Sequence, residues 1–397
     1  MAPFTPKTRV TLSDVARKFN VSHTTVSRAL RDDPQISKSL SQRIKQTAQQ
    51  MGYRPDAMLS ALAHYRRANK STPIAAEIAW INHWPDPHQL RCVHEFDLYW
   101  QGAAAEADRC GYQLEEFRLD ENMPSHRLER ILLARNVPGI LIPPWHLCTA
   151  ATPRRKGARN VPGILIPPWW QGEYPDWGDF HSATPGAHLP RRQGEYPDWG
   201  DFHWEKFCVV RFGYTIHTPR AHLVSADQFF DSALAYGNIR RNGYQRIGLV
   251  TTAASGKWLR FLGGYLFAQA QAGAGPRLAP LLFPGNPGQE SQPKLVAWLK
   301  KTKPDAILTD QAALRGMLAR AGYRVPEDLG LATTSPVNGN ADAGICQNSD
   351  EIGKAAIQLL ISLIHHNERG IPRVRREVLV EGEWVEGSTL PPRNVHR

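Results

Sequence analysis

TLSDVARKFNVSHTTVSRALRDDPQISKSLSQRIKQTAQQMGYRPDAM, residues 11–58, packs three short helical patterns into one compact stretch. Thr11 is placed to cap LSDVARKF, Asp14 sits in its first turn, and Leu12, Val15, Ala16 and Phe19 fall on one face. Asn20 tolerates the left-handed backbone that a tight turn requires. Val21 anchors that turn, Ser22 caps HTTVSRAL, and Val26, Ala29 and Leu30 form its inward face. Asp33-Pro34 ends the unit. Ser39 or Ser41 is expected to open a third helix over about 40–51, closed by Gly52.

Two short helices joined so tightly suit the major groove of duplex DNA, with the second helix presenting side chains to base edges. Its outward positions are His23, Thr24, Thr25 and Ser27, followed one turn later by Arg28. An arginine offers two parallel donors that match guanine O6 and N7, worth roughly 1–3 kcal/mol of discrimination. The alternative for Arg28 is an ion pair with Asp32, four residues on. Charge favours the first reading. Residues 1–70 hold 13 Lys and Arg against four Asp, so this small segment carries +9 of the net +11. A basic head on a near-neutral body is the electrostatic footprint of nucleic-acid binding.

The T-[LI]-x-D-V-A-x-x-x-x-V-S-x-x-T-V-S-R core and the terminal G-Y-x-P, which includes Tyr53, resemble the DNA-binding head of the lactose-repressor (LacI/GalR) family. The resemblance implies a dimer on a pseudo-palindromic double-stranded operator and a hinge helix that folds on that DNA. It also implies a leucine wedged into the minor groove, a known bending device. Counted from Tyr53-Arg54-Pro55, that leucine matches Leu62, with Met58 and Leu59 packing hinge against hinge. On this reading 1–56 is the head, 57–73 the hinge and linker, and 74–390 the effector-binding and dimerisation domain.

Beyond the linker the pattern alternates. IAAEIAWI, YQLEEFRL, VPGILIPP, FCVVRFG and HLVSAD read as strands, with helices near 96–110 and 124–134. RIGLVTT, LAPLLF, DAILTD and LGLATT follow as strands, again separated by helices, then a helix over 350–366. REVLVEGEWVEGST reads as a terminal hairpin. Alternation of this kind implies an α/β body of parallel sheets wrapped by helices, built twice in tandem. Ligands in such folds sit beyond the carboxyl ends of the strands. The motifs NGYQRIGLV, PDAILTD, AGYRVPEDLGL, DEIGKAAIQLL and VEGST resemble the periplasmic-binding-protein-like effector domain of the same family. Two departures stand out: Thr309-Asp310 replaces the usual Asn-Asp, and TTSPVNG replaces the usual Gly-[FY]-Asp-[DN]. By position, Asp310 and Gln311 are expected to accept or donate to a sugar-like effector. Arg260 matches the family's effector arginine to within one residue, and its fork suits vicinal hydroxyls or a carboxylate. Trp84, after the first strand, is expected to stack on a sugar ring. The bland alternatives are a helix cap for Asp310, an ion pair for Arg260, and a core role for Trp84.

ARNVPGILIPPW occurs at 134–145 and again at 158–169, and QGEYPDWGDFH at 171–181 and again at 193–203. Two perfect copies separated by basic, Pro-rich filler are unlike a solenoid, which needs several imperfect units. Residues 146–192 read as a duplicated insert that loops out of the first half, poorly ordered. Only one copy of VPGILIPP fits one sheet position. Shorter connections cost less entropy to close, so 137–144 and 193–203 are expected to dock.

Other classes fit less well. There is no GxSxG elbow, P-loop, HExxH or strand-linked GxGxxG, so no enzyme is expected, and no cofactor or metal. Five scattered cysteines (Cys92, Cys110, Cys148, Cys208, Cys346) include no CxxC and point to buried, reduced thiols. No apolar run spans a bilayer and the start lacks a signal core, so a cytoplasmic location without membrane association is expected. A solute-binding transport protein would need a signal peptide and would lack the basic head. A regulator that ignores small molecules is the remaining alternative.

Overall fold

The computed structural model describes residues 11–30, 33, 35–51, 76–84, 86–145, 199–216, 218–252, 257–273, 275–283, 287–335 and 341–393. The head consists of α1 (Leu12–Phe19), α2 (His23–Leu30) and α3 (Lys38–Gln50). Thr11 and Asp14 form a reciprocal capping box at the start of α1, so two orphan backbone donors are satisfied together. Asn20 takes the left-handed conformation at φ 51°, which turns the chain into α2. Val15, Ala16, Val26, Ala29, Ile44 and Ala48 make a small core joined by Phe19, Leu40 and Met51. The third helix differs in its cap. Ser37 caps it through Leu40 N–H, while the buried Ser41 hydroxyl donates to Ala29 O at 2.6 Å and ties α3 to α2. Neither Ser39 nor Ser41 is the start signal: both lie inside the helix, and Ser41 serves as a helix–helix tie.

The body has two α/β halves. The first contains β1 (Ala76–Asn82), α4 (Pro87–Cys92), α5 (His94–Arg109), β2 (Tyr112–Arg118), α6 (Ser125–Ala134), β3 (Gly139–Ile142), β4 (Cys208–Phe212) and β5 (His222–Ala226). The second contains α7 (Gln228–Arg241), β6 (Ile247–Thr252), α8 (Lys257–Gln271), β7 (Leu281–Phe283), α9 (Gln292–Thr302), β8 (Ala306–Thr309), α10 (Leu314–Arg320), β9 (Gly330–Thr333) and β10 (Gly344–Cys346). The chain then returns through α11 (Ser349–His366) to β11 (Glu377–Val380) and ends with β12 (Glu383–Val385). β3, β4, β5, β8 and β9 are buried along their whole length, as strands covered on both faces must be.

The first sheet runs β11-β5-β4-β3-β1-β2, with every pair parallel. The second runs β12-β10-β9-β8-β6-β7 and is parallel except for the edge pair β10–β12. The expected terminal hairpin is thus absent. β11 and β12 belong to different sheets: β11 pairs with the fully buried β5 and β12 with β10. The chain passes between halves three times, at 226–228, 346–349 and 380–383, and the passages are bonded to one another. Asp227 N–H donates to Val380 O at 2.8 Å, Gly382 N–H to Asp231 Oδ1 at 2.8 Å, and Asn348 Nδ2 to Glu381 O at 3.0 Å.

α11 returns to the first half by lying against α5 at glycine-only spacing. A Cβ on Gly102 would sit 1.9 Å from Asp350 O, and one on Gly353 would sit 2.2 Å from Tyr99 O. The sheet position between β1 and β4 is filled by Gly139–Ile142, the copy read above as the docked one. Trp199 and Phe202 are buried in the same half, and His203 N–H donates to Glu129. All of 146–192, residues 163–167 included, lies outside the described residues. Of the described cysteines only Cys208 is buried, and Cys92 is exposed, which corrects the expectation of uniformly buried thiols. Among the described residues no helix is long and apolar enough to cross a membrane.

Candidate functional site

The sequence candidates fall in two parts of the molecule. On the head, α2 is supported from beneath by Val26 and Ala29, both fully buried, which turns its other side outward. His23, Thr24 and Arg28 are exposed there, and Ser27 lies on the same helix. Ser22 Oγ accepts from Thr25 N–H at 3.1 Å and lies 2.9 Å from Thr25 Oγ1, so these two hydroxyls hold the helix start in shape. Thr11 is likewise engaged, donating its hydroxyl to Asp14 Oδ2 at 2.7 Å. The Asp14 carboxyl is held below its usual value by that side chain, then by the Thr11 backbone N–H. Asp32, the alternative partner of Arg28, lies outside the described residues. The Arg28 Nη1 donates to Gln35 Oε1 at 2.7 Å and its Nε lies 3.8 Å from Asp33. The guanidinium is thus held at the surface of α2 by Gln35 and Asp33. Tyr53 and Leu62 lie outside the described residues.

The second place is the crevice between the halves. Trp84 is not available to a ring stacked from outside. It is 4% exposed, donates from Nε1 to Pro144 O at 2.9 Å, and packs edge-on against Phe96 and Trp145. The correction follows from length: β1 runs through Asn82, so Trp84 stays inside the first half's core. Trp145, at the end of β3, is the half-buried aromatic there, stacked on His83 and tied by its N–H to Thr215 Oγ1 at 2.9 Å. Burial pushes the His83 imidazole down to about 4, which keeps it neutral.

Across the crevice, Asp310 and Gln311 follow β8 as expected. Gln311 Nε2 donates to Asp310 Oδ1 at 2.6 Å, which orients the carboxylate, and Thr309 Oγ1 accepts Gln311 N–H at 3.0 Å. Asp310 does not cap α10, which starts at Leu314 without a side-chain cap. Arg260 leaves the second half altogether. It donates to Glu377 Oε2 at 2.8 Å and lies over the Tyr214 ring at 4.2 Å, with both partners in the first half. Tyr214 OH also donates to Glu377, at 3.0 Å. Sequence reading missed Tyr214 and Glu377. Glu377 carried no signal, because its strand read as one arm of a hairpin.

Residues 11–56 match the model of bacterial regulatory proteins of the lacI family, and 237–390 match the periplasmic binding protein-like domain. The chain is 44% identical over 54 residues to the probable HTH-type transcriptional repressor ExuR of Bacillus subtilis (strain 168), covering 14% of this chain and 16% of that protein. It is 46% identical over 138 residues to the HTH-type transcriptional regulator PtxS of Pseudomonas plecoglossicida, covering 34% of this chain and 36% of that protein. These matches span well under half of either relative. In fold, the chain is similar to the solved transcriptional regulator CelR–cellobiose complex, with a TM-score of 0.50 and 17% identity over 96% of this chain and 100% of that one. With the head matched by one model and residues 237–390 of the body by the other, the chain belongs to the LacI family of bacterial transcriptional regulators.

Proposed function

We propose that the protein is a sequence-specific DNA-binding repressor whose operator affinity is set by a small molecule, sugar-sized, held between the two halves of the body. The observation that carries this reading is the pairing of an outward α2 bearing His23, Thr24 and Arg28 with a body whose halves meet through three bonded passages. Two chains pair through their bodies and offer two α2 helices to a pseudo-palindromic site. Thr11, Ser22, Thr25, Ser27 and Tyr53 serve the DNA backbone or the helix ends. Leu62 enters the minor groove between the half-sites and bends them. The effector, with Arg260, Asp310 and Gln311 among its contacts, shifts one half against the other and so alters the spacing of the heads.

The test is fluorescence anisotropy of the full chain on a duplex recovered by binding-site selection and on a scrambled duplex. Specific affinity should exceed non-specific affinity by at least about a thousandfold near physiological salt. Both should fall steeply with salt, as phosphate contacts dictate. Equal affinity for the two duplexes would end the reading.

A further inference from the structure

Arg211 is the least expected side chain in the body. It lies on β4, is 2% exposed, and its Nε has no hydrogen-bond partner. Its Nη1 alone is engaged, donating to Ile216 O. Burial lowers its pKa to about 10, with Arg375 contributing, so the guanidinium is still charged near neutrality. A buried charge without an adequate counter-charge is expensive unless something completes its surroundings.

The surroundings are cationic. Arg211 pairs in register with Leu223 on β5, which pairs with Glu377 on β11, so all three point from the same face of the sheet. Among the described residues Glu377 is the carboxylate that acts on Arg211, and it is shared three ways. Arg375 donates to its Oε1, while Arg260 and Tyr214 donate to its Oε2. Three guanidinium groups therefore face a single carboxylate, with Arg220 adding further positive charge. Arg260 comes from the second half and the others from the first, so the cluster straddles the crevice beside the carboxyl end of β4. That is where ligands of parallel sheets bind.

Resting on the regulator reading above, we propose that the effector is an acid: a sugar-sized molecule whose anionic group is held by Arg211, Arg260 and Arg375 beside Tyr214. Glu377 is the internal competitor for the same guanidinium groups. A planar fork meets a carboxylate bidentately, and such charge-assisted bonds are about twice as strong as neutral ones. A neutral sugar would leave the excess positive charge where it is. An acid supplies what Arg211 lacks and draws Arg260 off Glu377, which uncouples the two halves at that contact.

The test is calorimetric titration of the full chain with D-gluconate and D-galacturonate, beside D-glucose, D-galactose and D-glucose 6-phosphate. At least one acid should bind roughly ten to a hundred times tighter than its neutral counterpart, one charge-assisted bond being worth about that factor. Arg375→Gln, at a half-buried position, should weaken the acid about tenfold, and Glu377→Gln should tighten it. Binding of the phosphate with silence from both acids keeps the anion site and assigns it to phosphate. Neutral sugars binding as tightly as acids, or acid affinity untouched by both variants, overturns the proposal. Anisotropy on the selected duplex is measured on the same preparations. Retained operator specificity with no anion preference refutes the effector class alone, whereas lost specificity refutes the regulator reading itself.

Discussion

On the head, polar side chains stand in water above a core of six small and medium apolar residues; in the crevice, polar side chains are buried and lean on one another. His23, Thr24 and Arg28 are exposed, while Arg211 is 2% exposed and Asp231 is fully buried. The difference follows from the tasks assigned to each. A reader of base edges must offer donors that exchange water for bases at little cost. A switch needs groups already stripped of water, because in low dielectric a small change of partner moves a large free energy. The head should therefore tolerate substitution in stability but not in specificity, and the body the reverse.

The sharpest way to break that contrast is to push apart the helices that bring α11 home. Gly102→Ala places a methyl group 1.9 Å from Asp350 O, which is backbone and cannot swing away. Overpacking of this kind costs about 3 kcal/mol. Calorimetry should show the body melting several degrees lower while operator specificity per folded molecule stays unchanged. A body that melts as before would mean α5 and α11 slide freely, and the crevice would then be soft rather than two-state.

Asp231 sharpens the contrast from the opposite side. It accepts from Gly382 N–H at 2.8 Å, and its second oxygen is buried with no partner. Burial raises its pKa to about 7; the Gly382 N–H pulls it down, and Asp227 and Glu381 push it up. The folded value lies above the unfolded one, so the folded protein holds the proton more tightly. This group's share of stability is intact below about pH 4 and declines as pH rises to about 7, then levels off. Asp231→Asn keeps an acceptor for Gly382 and removes the charge. Its stabilisation over the parent should be roughly 2 kcal/mol greater at pH 8 than at pH 4, read by urea unfolding. An equal difference at both pH values would mean that Asp231 is solvated, and the passage between halves wet.

These body positions were the ones that sequence pattern did not expose, and the reason is range. The capping box, the left-handed Asn20 and the inward pairs Val15/Ala16 and Val26/Ala29 are each set by neighbours within about four residues, so spacing alone reveals them. The strand and helix rhythm of the body was legible for the same reason. β11 and β12 were misassigned because REVLVEGEWV looks like any two adjacent strands. Which sheet each joins is decided by β5 and β10, which lie 154 and 39 positions earlier in the pairings Leu223–Glu377 and Ile345–Trp384. The Arg260–Glu377 contact and the burial of Trp84 inherit that distance. A perfect duplication was legible, and the seating of Gly139–Ile142 between β1 and β4 followed from connection length.

The head supplies the two smaller effects. Arg28→Ala should relax preference at one base pair per half-site by roughly 1–2 kcal/mol, at the low end for a bidentate contact, because Arg28 must first leave Gln35 and Asp33. Competition anisotropy across single-base operator variants reads this directly. A uniform loss on every duplex would instead make Arg28 a phosphate ligand.

Thr11→Ala is the smallest and most discriminating substitution. It deletes the side chain that accepts Asp14 N–H at 3.3 Å and donates to the Asp14 carboxylate, and so opens the capping box at the start of α1. Loss of such a cap costs about 1 kcal/mol. Because α1 packs on α2 through Val15, Ala16 and Val26, the loss should appear as faster amide exchange across α1 and α2 and leave the body's exchange untouched. The order of operator preferences should persist, since no base-facing group has been removed. If preferences reorder while exchange is unchanged, Thr11 is itself a reader of DNA, and the division between a locally built head and a globally built crevice must be redrawn at its first residue.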